Sequence, residues 1–396
     1  MINRIVLSLV IGVASTLAAS GSQWQRDPRS LLTNFNNMYN PCVVETGGLY
    51  RYRMWFFGWA ADATNTGTPG CDAIFHARSK DLQTWEVYSG DQGWDAGMNP
   101  KKWVPVIHAS ERWYEAWHVG DPSVVLHEGK YYMAYSATSR DFGTRDGSPA
   151  TMVQCIMGAV SNDGIHWEKT ERPLLIREAD TPDPEPDPDR IGDFHRPSLH
   201  RDGSTWRLWF DYWLPGKGVC MGYAENDGEF GRTGAFKIQH DLRAPLLETW
   251  PNPEVVRIGK RYHCFSDPPG YPTKKDESPW KSRQLREAVS ADGVHWQKLP
   301  FIPPDADADA CHVPQAFVTT IDGKEWLYLF YATQIGYKKN DGVYHFQYDR
   351  IRAMRRAIDN AKPFLRLASR RFGCYEVSCQ RQSVDCQPLL TPTDAR

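Results

Sequence analysis

Five short phrases share a proline, and in four of them it follows a residue that can move protons or hold hydroxyl groups: Asn40-Pro41, Asp121-Pro122, Arg196-Pro197 and Asn252-Pro253, the fifth being Val313-Pro314. Around them stand His118 ahead of Asp121, Asp193 and His195 ahead of Arg196, Glu254 after Pro253, and His312 and Gln315 on either side of the last pair. Carboxylates, imidazoles and a guanidinium meeting in one cavity are what acid/base cleavage of a polar substrate requires. The expected catalytic set is Asp121, Glu254, Asp193 and His195, with Asp121 and Glu254 as the carboxylate pair. The expected substrate-binding set is Asn40, His118, Arg196, Asn252, His312 and Gln315. Plainer readings stand beside these. Asp121 also fits a turn residue at a strand entry, Glu254 an ordinary strand-face carboxylate, and Arg196 a partner for a buried acid.

These residues are far apart in the chain, so a repeated element must bring them together. The prolines stand at 41, 122, 197, 253 and 314, spacings of 81, 75, 56 and 61 residues. Each is followed by an apolar or β-branched run, a turn and an aromatic run: "YRMWFFGWA", "KYYMAYSA", "WRLWFDYW", "RYHCFSD" and "EWLYLFYAT". A second phrase alternates with the first. Ser-x-Asp followed by Trp occurs in "SKDLQTWEV", "SNDGIHWEK" and "SADGVHWQK", with a weaker relative in "AENDGEFGR". Asp-Gly is a hairpin signal and the Trp opens the next strand, so the Asp of this phrase is read as turn chemistry. Proline at a strand entry costs no ladder bond.

Five such units, without long runs of helical period, predict an all-β, five-bladed β-propeller; a pair of β-sandwiches is the alternative. In a propeller the innermost strands converge on the axis, so residues at their starts share one funnel. "DRIRAMRRAIDNAKPF" is read as a final blade strand rather than a helix. The acidic stretches Ala179 to Arg190 and Pro303 to Ala310 are read as loops draped over the mouth as an acidic rim. No metal or cofactor is expected, a structural Ca²⁺ in these loops being the one ion left open.

The Pro phrases, "GDPSVVLHEGKYYMAYSA" in particular, together with the Ser-x-Asp turns, resemble the five-bladed propeller glycosidases, a group that includes glycoside hydrolase families 43, 32, 117 and 130. The resemblance spans about Asn34 to Phe364. It implies cleavage of glycosidic bonds by acid/base catalysis in the funnel. A family 43 pattern implies an Asp base on the first blade, an orienting Asp on the second and a Glu acid on the third. Asp121 matches the second. Asn40 stands where the first would be and cannot act as a base, and "DFHRPS" offers Asp193 and His195 but no Glu. The Asn-Pro first blade is closer to family 130, and a His acid is similar to family 117. Two alternatives follow: a glycoside phosphorylase, with Arg196, His195 and His312 as an oxyanion site, and a glycan-binding propeller without catalysis.

Composition bounds the rest. Arg4, an apolar stretch from Ile5 to Leu17 and the small residues Ala18 to Ser20 have the pattern of a secretory signal, so residues 1–20 are read as signal peptide, 21–365 as the propeller and 366–396 as a Cys-containing extension. The expected location is secreted or periplasmic, with no membrane span. Lys plus Arg (46) against Asp plus Glu (48) leaves no polyelectrolyte character, which argues against a nucleic-acid partner; the expected partner is a carbohydrate substrate. The nine cysteines are mostly scattered like buried thiols in strands, and only Cys374, Cys379 and Cys386 cluster. Of the 16 Trp and 18 Tyr, most are expected in blade packing and a minority as platforms for sugar rings.

Overall fold

The computed structural model describes residues 24–35, 37–59, 72–140, 152–182, 187, 189–232, 236–270, 282–334, 339–340, 343–344 and 350–358. The readings for residues 1–20 and 366–396 lie outside them. Five antiparallel sheets follow one another as blades, and the Pro phrases open their innermost strands: Tyr39–Glu45, His118–His127, Gly192–Asp202, Glu254–Ile258 and Ala310–Ile321. The aromatic runs form the second strands, Tyr52–Trp59, Lys130–Thr138, Thr205–Leu214, Arg261–Ser266 and Lys324–Gln334. The inner strands touch in cyclic order, the fifth against the first, so the ring is closed.

The aromatic strands read as nearly unbroken apolar runs because both of their faces are covered by neighbouring blades. Alternate residues go to opposite interfaces. On the third blade Leu208, Phe210 and Tyr212 pack toward the second blade, and Trp209 packs toward the fourth. Five separate apolar clusters result, one at each blade interface. Cys42, Cys155, Cys220, Cys264 and Cys311 are buried free thiols in this packing.

The Ser-x-Asp phrases are turns, as their chemistry predicts. Ser161 Oγ accepts the Asp163 and Gly164 N–H groups at 3.2 and 2.9 Å, and Asp163 Oδ1 accepts those of Ile165 and His166 at 2.8 Å each. Ser79/Asp81 and Ser290/Asp292 repeat the pattern. In the weaker copy Asn226 replaces the Ser and accepts from Gly228 N at 2.7 Å. The fifth blade lacks the phrase because its outer strand comes from the other end of the chain. Gln25–Arg26 pairs with Arg350–Ala357, which is the strand expected in the Arg-rich segment.

The loop Pro303 to Ala310 fastens this closure instead of forming an acidic rim. Asp305 binds Arg26 Nε and Arg352 Nη1 at 3.0 Å each and accepts the Tyr331 hydroxyl, while Asp307 takes Arg352 at 2.7 Å. Arg26 and Arg352 sit on the two strands that close the ring, so these carboxylates are neutralised where the chain ends meet. In the other acidic stretch Asp180 pairs with Arg190 at 3.1 Å and Asp187 with Arg177 at 3.7 Å; residues 183–186 and 188 lie outside the described residues. Among the described residues, no group of three or more His, Cys, Asp or Glu is arranged to hold a metal ion. Among them, too, no helix is long and apolar enough to cross a membrane.

Two glycines test how the turns bear on blade packing. Gly164 has φ +80°, its carbonyl accepts the Trp55 indole N–H at 2.9 Å, and a Cβ there would lie 2.7 Å from the Trp55 ring. Gly129 has φ +78° with nothing within 4 Å of such a Cβ. Gly129→Ala should cost only the left-handed backbone term, about 1–2 kcal/mol. Gly164→Ala should cost more, because Trp55 must move. Urea unfolding of both variants checks this, and equal midpoints would contradict it.

Candidate active site

The inner strand of each blade is an edge strand, so its axis-facing N–H groups have no ladder partner. Buried, they must be satisfied in another way. One ring of side chains does this. The residue after each proline accepts a hydrogen bond from the backbone N–H two residues after the next blade's proline. Val124 N donates to Cys42 Sγ (3.2 Å), Leu199 N to Ser123 Oγ (2.8 Å), Val255 N to Ser198 Oγ (2.9 Å) and Val43 N to Gln315 Oε1 (3.1 Å). The fifth member is Glu254, which accepts from Ala316 N.

Glu254 and Gln315 therefore belong to the girdle of the fold. The Glu254 carboxyl also accepts from Ser198 and from Gln315 Nε2 (3.2 Å). The Gln315 oxygen is taken by Val43, and its Nε2 bonds Glu254 and the Ala316 carbonyl. The expectation that Glu254 pairs with Asp121 in catalysis, and that Gln315 binds substrate, gives way to these bonds. Sequence inspection could not separate them, because the ring position is held by Cys, Ser, Ser, Glu and Gln.

The residue before each proline carries the second repeated feature. Asn40, Asp121, Arg196, Asn252 and Val313 have φ of +50°, +50°, +45°, +50° and +46°. A left-handed conformation is costly for a residue with a Cβ, and the helical region is disfavoured ahead of proline. In four blades the strand register shifts across this point. These bulges let consecutive side chains, such as His195 and Arg196, reach the mouth together. The strain is held at three interfaces by the preceding blade, twice from its second strand and once from the residue just after it. Ser136 Oγ accepts Arg196 N at 2.8 Å, Asp211 Oδ2 accepts Asn252 N at 2.9 Å, and Asp267 Oδ2 accepts Val313 N at 3.3 Å.

At the mouth the structure brings together Asp121, His195, Arg196 and Asn252. His195 Nε2 lies 3.4 Å from Asp121 Oδ2, and Arg196 Nη1 lies 3.4 Å from Asp211 Oδ2. Asn252 Nδ2 bonds Asp267, which also takes Arg283 at 2.7 Å. Asn40 reaches across to the Pro122 carbonyl at 3.2 Å, and His312 lies against the Tyr39 ring with centroids 6.0 Å apart.

Two expected site residues are already occupied. His118 is buried behind Asp121, with Nδ1 2.8 Å from Asp72 and Nε2 2.7 Å from the Thr138 hydroxyl, so it supports the site instead of facing substrate. Asp193 is held at 3.0 Å by Arg190, which also binds Asp180, and so anchors the preceding loop. Asp72, Ser136, Asp211, Asp267 and Arg283 were not anticipated. Asp211 in "WFDYW" does carry a signal, a carboxylate in a largely apolar strand, whereas Asp267 in "FSDPP" follows its strand directly.

Burial dominates the protonation of this cluster. It raises Asp121 above the usual aspartate range, partly offset by Arg196, Ser136 and His118, and raises Asp211 to about 6 despite Arg196. It pushes His195 well below the ordinary imidazole range, helped by Arg196, and His312 to about 3, helped by Arg283 and Arg196. Burial opposes the Arg196 charge, but Asp211 and Asp121 outweigh it and hold the guanidinium firmly protonated. Several buried polar atoms here have no hydrogen-bond partner within the protein: Asp121 Oδ1, both His195 ring nitrogens, Arg196 Nε and Asn252 Oδ1.

No protein-family model matches the chain, and no curated protein matches it. Among solved structures it is similar to a glycoside hydrolase at 14% identity and TM-score 0.52, over 88% of this chain and 94% of that one. A family 117 glycoside hydrolase from the marine bacterium Zobellia galactanivorans matches at 14% and TM-score 0.52, over 86% and 92%. An α-L-arabinofuranosidase from Lactobacillus brevis matches at 11% and TM-score 0.51, over 84% and 93%. At these identities the likeness is one of fold: the chain has the five-bladed propeller architecture found in glycoside hydrolases.

The ring makes a prediction for Glu254, whose carboxyl burial raises to about 8. Between the ordinary glutamate range and about 8 the folded chain keeps this proton and the unfolded chain has lost it, so stability falls as pH rises through that window. Glu254→Gln keeps the neutral shape and removes the titration. Denaturant unfolding should show the variant gaining on the wild type from pH 5 to pH 8. A variant destabilised equally at both pH values would contradict the ring assignment.

Proposed function

We propose that this chain is an exported enzyme that cleaves glycosidic bonds of a poly- or oligosaccharide, with Asp121 and His195 handling the proton. The observation that carries this reading is a carboxylate, Asp121, and an imidazole, His195, 3.4 Å apart on the inner strands of two neighbouring blades.

Hydrolysis adds water across the bond: the water oxygen bonds to the anomeric carbon and gives up a proton, and the leaving sugar oxygen takes one as its bond to that carbon breaks. Asp121 and His195 suit this exchange because burial moves their proton affinities toward each other, raising the acid and lowering the imidazole. The proton leaving water enters this pair, and the proton reaching the sugar oxygen comes from it. Asp211 and Asp267 are less suited to the role, since each is committed to a backbone N–H and an arginine.

A phosphorylase reading fits less well. Arg196 is flanked by Asp211 and Asp121, which offset its charge and repel phosphate. The non-catalytic reading is favoured by one observation, that Asn40 stands where the family 43 pattern has its base.

A reducing-end assay on plant and algal polysaccharides, paired with binding measurements, separates these readings. Asp121→Asn should lower turnover about 100-fold or more while the melting temperature and glycan binding persist. Binding by the wild type without any turnover would replace the enzyme reading with the binding one. Turnover preserved within a few-fold in the variant would remove Asp121 from the chemistry.

A further inference from the structure

Among the described residues only two large apolar side chains are prominently exposed, and one of them, Trp213, is on the strand that also carries Asp211. It lies near the end of the third blade's second strand, opposite Gly192 at the start of the inner strand, while Asp211 lies opposite His195 one step deeper. Strand alternation puts Trp209, Asp211 and Trp213 on the same face, the one turned to the fourth blade. Trp209 packs there against Tyr262, and Asp211 accepts the Asn252 N–H. Tyr212, between them, points the other way into the core and donates its hydroxyl to the Leu242 carbonyl.

Trp213 interrupts the burial of this strand, which resumes at Leu214. Trp209, Asp211 and Tyr212 are at most 2% exposed, whereas Trp213 is 38% exposed, with its ring over Gly218, where a Cβ would lie 3.9 Å from it. Two residues along a strand advance about 7 Å. That is comparable to the length of one sugar unit, measured outward from the level of Asp211 and His195.

We propose that Trp213 is the stacking platform of a second sugar subsite, so that the funnel takes a chain of at least two sugars, one over Asp121 and His195 and the next against the indole face. This rests on the reading of the mouth as a glycan site. The chemistry is that of an aromatic face against the C–H face of a pyranose or furanose, with the polar groups beneath supplying orientation. Both observations point to the same ligand class: a polar pit alone fits any small polar molecule, and an exposed Trp alone is ordinary surface.

The test is calorimetric binding of xylo-, arabino- and agaro-oligosaccharides of one to six sugars to the wild type and to Asp121→Asn, which prevents consumption. In the background that binds, Trp213→Ala should weaken oligosaccharides by roughly tenfold or more, the loss usual for a central aromatic anchor, and leave the corresponding monosaccharide unchanged. Trp213→Phe should keep most of the affinity, which separates stacking from misfolding. Oligosaccharide binding unaltered in Trp213→Ala would overturn the platform while leaving the glycan site standing. Equal losses for monosaccharide and oligosaccharide would also overturn it. No binding of any sugar by either background would overturn the glycan reading and the platform together.

Discussion

The structure depends on one constraint: five edge strands face a common axis, and their backbone N–H groups must find acceptors where no sixth strand can lie. The ring from Cys42 through Ser123, Ser198, Glu254 and Gln315 meets that need. Each acceptor serves the following blade, so no blade satisfies its own edge. The same logic explains a protonated Glu254. As an acid it can donate as well as accept, whereas a buried charge would have no cation to pair with among the ring members.

Above the ring, the left-handed residue before each proline turns the strand and opens the mouth. This conformation persists because the preceding blade clamps the strained peptide through Ser136, Asp211 and Asp267. Two of these clamps are carboxylates, and each also faces an arginine, Arg196 or Arg283. Backbone strain, charge balance and the floor of the site are thus one network. A change at Asp211 would disturb the Asn252 backbone and the Arg196 guanidinium at once. The unpartnered atoms of Asp121, His195, Arg196 and Asn252 are the part of this network that the fold leaves unsatisfied.

Closure of the ring uses a separate set of ions. Arg26 from the beginning of the chain and Arg352 from near its end converge on Asp305, which is buried beneath the fifth blade's Tyr331. An acidic, proline-flanked stretch that looks like a solvated loop in one dimension thereby becomes the junction between the two ends. Sequence composition alone misjudges such a segment, because the arginines that neutralise it lie 277 or more residues away on one side and 45 or more on the other.

The sequence by itself determined the number of blades, the strand that opens each one, the turn chemistry of the Ser-x-Asp phrases and the convergence of the Pro phrases on one axis. Those features are local: a proline, an Asp-Gly turn or an aromatic run acts through its immediate backbone and recurs at a readable spacing. The sequence also held Asp121, His195, Arg196 and Asn252 among its candidates. Only the tertiary structure decided which candidates are already committed to holding the fold. Glu254 and Gln315 sit one or two residues from site positions but face the girdle, His118 is enclosed by Asp72 and Thr138, and Asp193 is taken by Arg190. Asp211 joins from a second strand that carries no Pro phrase, and Asp267 from the residue just after such a strand. The physical reason is that a side chain's role here depends on what the fold places within about 3 Å of it: a near neighbour for Asp193, a strand of the same blade for His118 at Thr138, and for the ring and the clamps an adjacent blade some 40 to 270 residues away in the chain.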